Sequence, residues 1–65
     1  MNIMLNGNEW QHEGALTVAA LLIELKLTGN LAVERNLHIV PRSAYGETEL
    51  AEGDRIEIVH FIGGG

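Results

Sequence analysis

Sixty-five residues hold one small domain, since a chain of this length buries only about 60% of the surface its unfolded form exposes and has no room for a second core. There is no cysteine, which excludes disulfide bracing and a thiolate zinc site, so stability has to come from a regular, well-paired fold. Nine acidic residues against four basic ones give a formal charge of −5, and Lys26, Arg35, Arg42 and Arg55 are too few and too scattered to neutralise phosphates. This argues against nucleic acid and anionic membranes, and for protein partners with basic docking surfaces.

At the N-terminus, Met1-Asn2-Ile3-Met4-Leu5-Asn6 carries neither a basic leader nor a long apolar stretch, and the longest apolar run, Val18 to Ile23, is far too short to span a bilayer. A soluble cytoplasmic protein is the expectation. Ile3 and Leu5 alternate with Asn2, Met4 and Asn6, Asn6-Gly7-Asn8 follows, and then Glu9-Trp10-Gln11-His12; this reads as a hairpin closed by an Asn-Gly turn. Gly14 breaks the pattern. Thr17 then precedes Val18, Leu21, Leu22 and Leu25, whose spacing puts them on one helical face, with Thr17 as N-cap and Gly29 as the left-handed stop.

Leu31-Ala32-Val33-Glu34 and Leu37-His38-Ile39-Val40 are short β-prone runs separated by Arg35-Asn36, and Pro41 stops the second. Arg42 to Thr48 reads as a helical turn or loop. Leu50 is an apolar anchor before a turn at 51–54, and Arg55-Ile56-Glu57-Ile58-Val59-His60-Phe61 is the strongest strand signal in the chain. Side chains alternate along a strand, so Ile56 and Ile58 face the helix while Glu57, Val59 and Phe61 face away, leaving Val59 and Phe61 exposed beside the chain's end. One helix against a mixed sheet of four to five strands, with the first and last strands parallel and adjacent at its centre, is an α+β arrangement: the ubiquitin-like β-grasp. Residues 1–65 form a single domain in this reading, with 62–65 as a flexible glycine tail.

No side-chain active site emerges. A thiol nucleophile is absent, Ser43 lacks a recognisable elbow with histidine and acid, and His12, His38 and His60 fall on three different strands at no metal-binding spacing. Gly63-Gly64-Gly65 directly follows the best strand. Three glycines cost backbone entropy to order and offer nothing to pack, so as part of the fold they are a frayed end. A tail without Cβ atoms can, however, thread a narrow channel and present a terminal carboxylate inside another protein, and three extended residues reach about 10 Å. The α-carboxyl is ionised near neutral pH and can attack the α-phosphate of ATP when a partner supplies metal and positioning.

With Leu5-Asn6-Gly7, Val33-Glu34-Arg35-Asn36, Ile39-Val40-Pro41-Arg42 and the run Gly53-Asp54-Arg55-Ile56-Glu57-Ile58-Val59-His60-Phe61-Ile62-Gly63-Gly64-Gly65, the chain resembles the ThiS family, sulfur carriers of thiamin thiazole biosynthesis, over essentially its whole length. The resemblance implies a carrier rather than an enzyme. A ThiF-type adenylating enzyme, using ATP and magnesium, would activate the Gly65 carboxylate. A cysteine desulfurase or other donor would supply sulfur as a persulfide, and a ThiG-type thiazole synthase would accept it from the resulting thiocarboxylate. The chain itself would bind no cofactor. Gly65 then carries the chemistry and Gly64 gives uncluttered approach. Gly63 and Ile62 extend the tail, and Val59 and Phe61 belong to the partner-docking surface. Three other readings share parts of this pattern: the small subunit of molybdopterin synthase, a ubiquitin-like modifier joined to lysine amines, and a binding module with an inert tail.

Overall fold

The computed structural model describes residues 1–61. Strands β1 (Asn2–Leu5) and β2 (Asn8–Gln11) form the first hairpin, followed by helix α1 (Val18–Glu24), β3 (Leu31–Arg35), β4 (His38–Val40), a 3-10 turn (Arg42–Ala44) and β5 (Arg55–His60). The sheet order is β2-β1-β5-β3-β4. β1 and β5 run parallel, with Met4 beside Arg55 and Leu5 beside Ile56, and the other pairings are antiparallel. Among the described residues the architecture is a mixed five-stranded sheet with one α-helix, within the four to five strands expected, and β1 and β5 are parallel and adjacent as expected.

The β1–β2 turn works because Asn6 and Gly7 both take positive φ, 49° and 83°, as a two-residue turn matched to the twist of its strands requires. Asn6 has a second task. Its Oδ1 accepts from the N–H of Ile58 at 2.7 Å and its Nδ2 donates to the Ile58 carbonyl at 3.3 Å, so a side chain continues the β1–β5 ladder where the backbone turns away.

Helix α1 starts where the sequence places it. Thr17 is extended and its Oγ1 accepts from Ala20 N–H at 3.1 Å. The N–H groups of Val18 and Ala19, which have no partner within the helix, donate to the carbonyls of Thr48 and Tyr45 at 2.9 Å each. The helix start is thereby tied to the segment before β5, where Thr17 and Glu49 form an isolated antiparallel bridge.

The helix end differs from expectation. Leu25 is the C-cap and Lys26, at φ 59°, is the left-handed residue; Lys26 N–H donates to Ile23 O and Leu27 N–H to Leu22 O. These two bonds form a Schellman motif that stops the helix earlier than Gly29. Gly29, at φ 93°, instead turns the chain into β3. The second hairpin also differs: Arg35 and Leu37 exchange roles, since Arg35 is the last residue of β3 and the turn is Asn36-Leu37, at φ 51° and 73°.

The core lies between α1 and one face of the sheet. Val18 and Leu21 from the helix meet Val33 and Ile56 from the central strands, all fully buried, with Ile3, Leu16, Leu22, Leu31, Val40 and Leu50 around them. Ile58 packs against this cluster and is half-buried. No helix among the described residues is long and apolar enough to cross a membrane.

Candidate functional site

β5 is the middle strand of the sheet and the last element among the described residues, and its two faces have different fates. Ile56 is fully buried on the helix side, whereas Val59 and Phe61 on the other side are 52% and 60% exposed. Val59 and Phe61 are exposed as the alternation predicts, but the contrast between faces fades along the strand: Glu57 and Ile58 are both half-buried, and His60, on the helix-side phase, is exposed. Ile62, Gly63, Gly64 and Gly65, the expected tail with Gly65 as the expected site of adenylation and thiocarboxylate formation, lie outside the described residues.

The exit of β5 is held on its side edge. Phe61 N–H donates to the Asn30 carbonyl at 2.9 Å, and the His60 ring nitrogen Nε2 lies 2.8 Å from the Thr28 carbonyl. The loop between α1 and β3 thus fixes where the chain leaves the sheet, a constraint invisible to a strand-by-strand reading. His12 is used structurally too: its ring stacks on Trp10 at 5.7 Å between centroids, and Nε2 lies 3.2 Å from Glu24 on the helix. His38 is exposed on edge strand β4. Among the described residues no three histidines and carboxylates come together as a metal site.

At the opposite end of β5 sits the one buried charged group among the described residues, Asp54, 5% exposed. Its Oδ2 accepts from Arg35 Nε and from Ala51 N–H, each at 2.8 Å, and its Oδ1 from Asn36 Nδ2 at 3.0 Å; Asn36 Oδ1 in turn accepts from Arg55 N–H at 2.8 Å. Burial by itself would raise the Asp54 pKa. The hydrogen bond from Ala51, then those from Asn36 and Arg35 with the Arg35 charge, outweigh it and hold the carboxyl below its usual value. This cluster locks the β3–β4 hairpin to the start of β5. Its role is to fix register rather than to react, because every oxygen is committed to a structural donor.

Between these ends, the open face of β5, β3 and β4 is set by register: Ala32 beside Val59, then Glu34 between Glu57 on β5 and Ile39 on β4. Ile39 is 63% exposed. The face thus exposes apolar side chains at Ile39, Val59 and Phe61 with the two carboxylates Glu34 and Glu57 among them.

The ThiS family model matches residues 3–65. The sulfur carrier protein ThiS of Bacillus subtilis is 41% identical over 66 residues, covering 97% of this chain and 98% of that protein. A thiazole synthase from Paramagnetospirillum magneticum is 48% identical over 66 residues, with all of this chain aligned to 20% of that protein, and one from Magnetococcus marinus is 47% identical with the same coverage. The chain thus spans about one fifth of the length of the thiazole synthases it matches. Among solved structures, the crystal structure of a thiamine biosynthesis protein (ThiS) from Geobacter metallireducens superposes with a TM-score of 0.85 at 35% identity over the full length of both chains.

Proposed function

The chain belongs to the ThiS family, and on that premise we propose that it is the sulfur carrier of thiamin thiazole formation, a co-substrate of partner enzymes rather than a catalyst. What carries the reading is that the family match extends through the glycine tail to residue 65, the position where the chemistry would occur. The fold's contribution is mechanical. The core and the Asp54 cluster hold β5 rigidly in the sheet, the Asn30 and Thr28 carbonyls fix its exit, and Val59 and Phe61 give a partner an apolar surface to grip beside the tail.

In the proposed cycle a carboxylate oxygen of Gly65 attacks the α-phosphorus of ATP on a ThiF-type adenylating enzyme, with magnesium there, and pyrophosphate leaves. The terminal sulfur of a persulfide, from a cysteine desulfurase or a related donor, attacks the acyl carbon and AMP leaves. Cleavage of the remaining S–S bond by a thiol frees the thiocarboxylate. Gly64 and Gly63, without Cβ atoms, let the tail lie in a narrow channel, and Ile62 joins it to the sheet. ATP and magnesium belong to the partner. A ThiG-type thiazole synthase is the proposed acceptor, a role supported by the segments resembling this chain within relatives that bear that name.

ATP–pyrophosphate exchange tests the first step. Exchange by the adenylating enzyme should depend on this chain and should disappear when Gly65 is removed. Exchange that persists at full rate without Gly65 would contradict the assignment.

A further inference from the structure

The open face of the sheet carries an arrangement that folding does not call for. Glu34 on β3 and Glu57 on β5 stand directly opposite each other in antiparallel register, both half-buried. Directly opposed Cβ atoms lie about 4.5–5.5 Å apart, and like charges in such a pair destabilise the sheet. Neither carboxylate is matched by a cation among the described residues, where the ion pairs are His12–Glu24 and Arg35–Asp54. Arg55 shares the face two residues before Glu57 and forms no ion pair with it. Apolar groups adjoin the acids on two sides, Ile39 beside Glu34 and Val59 in the row after Glu57, while exposed Arg55 stands in the row before it.

We infer that Glu34 and Glu57 are the charged centre of the docking face and are matched by a cationic side chain, best an arginine, projecting from an otherwise apolar patch on the adenylating enzyme. The inference rests on the carrier reading above. Docking strips water from the patch, and two desolvated carboxylates without a counter-charge would oppose binding strongly, so a purely apolar partner surface is rejected. A guanidinium presents several donors in a planar fork and can bridge two carboxylates, where an ammonium is a single point charge. A second copy of this chain fits poorly, because a two-fold axis through the face would gather four carboxylates between molecules each carrying a formal charge of −5. The acid pair thus weakens the free domain slightly and selects which protein may cover it.

The test compares the full chain with its E34Q/E57Q variant, which keeps side-chain shape and removes the charge. Adenylation by the ThiF-type enzyme is followed at about 50 and about 300 mM salt, alongside thermal unfolding of each chain. The variant should melt at or above the wild-type temperature, lose roughly tenfold or more in kcat/KM with the loss falling on KM, and show a weaker salt dependence. Glu57→Lys should lose more. An unchanged KM with an unchanged salt dependence in E34Q/E57Q would overturn the inference while leaving the carrier role standing. Failure of the wild-type chain to be adenylated by an enzyme that activates a control carrier would overturn both. A wild-type dimer dissolved by Ile39→Lys would give the face to a second copy and overturn the inference as well.

Discussion

The two faces of this sheet are built from the same five strands and answer to different demands. On the helix side, Val33 and Ile56 sit on neighbouring central strands and are fully buried against Val18 and Leu21. On the open side, one residue along the same strands, Glu34 faces Glu57, and Ile39, Val59 and Phe61 are more than half exposed. A face selected only for folding would place polar or complementary pairs toward water. The open face instead exposes apolar side chains at the end of β5 and opposes two like charges, so burial is concentrated on one side and the proposed recognition uses the other. The period of two in a strand makes this separation possible, because adjacent residues answer to different constraints.

Substitutions on each face sharpen the contrast. The largest effect on folding is expected from Ile56→Ala, which opens a cavity at the centre of the core and should cost about 2–5 kcal/mol, read by chemical denaturation. Asp54→Ala removes the acceptor shared by Arg35, Asn36 and Ala51 and should cost about 2 kcal/mol. The same carboxylate predicts an acid dependence. Its folded pKa lies below the unfolded one, so its contribution is complete above the ordinary carboxylate value, about 3.9, and is lost as pH falls through the lower folded value. Asp54→Asn should flatten that acid limb of the stability profile.

On the open face, Phe61→Glu should leave the unfolding midpoint unchanged and weaken adenylation about tenfold. Equal losses of stability and activation would show that Phe61 belongs to the core side after all. The smallest effect concerns the turns. The two hairpins close with Asn6-Gly7 and Asn36-Leu37, all four residues at positive φ, and Leu37 is 77% exposed. Leu37→Gly should relieve left-handed strain partly offset by backbone entropy, a net gain of up to about 1 kcal/mol.

Much of the fold was legible because its signals are local. Thr17 before Val18, the Asn-Gly turn and the alternation through β5 each state their structure within a few residues. The end of α1 was not, because a glycine at 29 is a stronger letter than a lysine at 26, yet the two bonds of the Schellman motif are satisfied at Lys26 and Leu27. Leu37 concealed its turn in the same way, since a leucine gives no hint of positive φ. Asp54 read as a turn residue, and its link to Arg35 and Asn36 depends on tertiary contact across 18–19 residues. The Glu34–Glu57 pair needed the register of β3 against β5, which periodicity does not supply; it gives the face of a residue and not its neighbour. The role expected of the glycines at 63–65 rests on resemblance, as composition treats three glycines as a loose end.

Whether Gly65 carries sulfur as a thiocarboxylate is read most directly by intact mass spectrometry. The chain is incubated with its adenylating enzyme, ATP, magnesium and a persulfide donor, next to a variant lacking Gly65. A mass increase equal to one oxygen replaced by sulfur is expected in the full chain and none in the variant. An unmodified mass in the full chain, while the same enzymes convert a control carrier, would contradict the carrier reading.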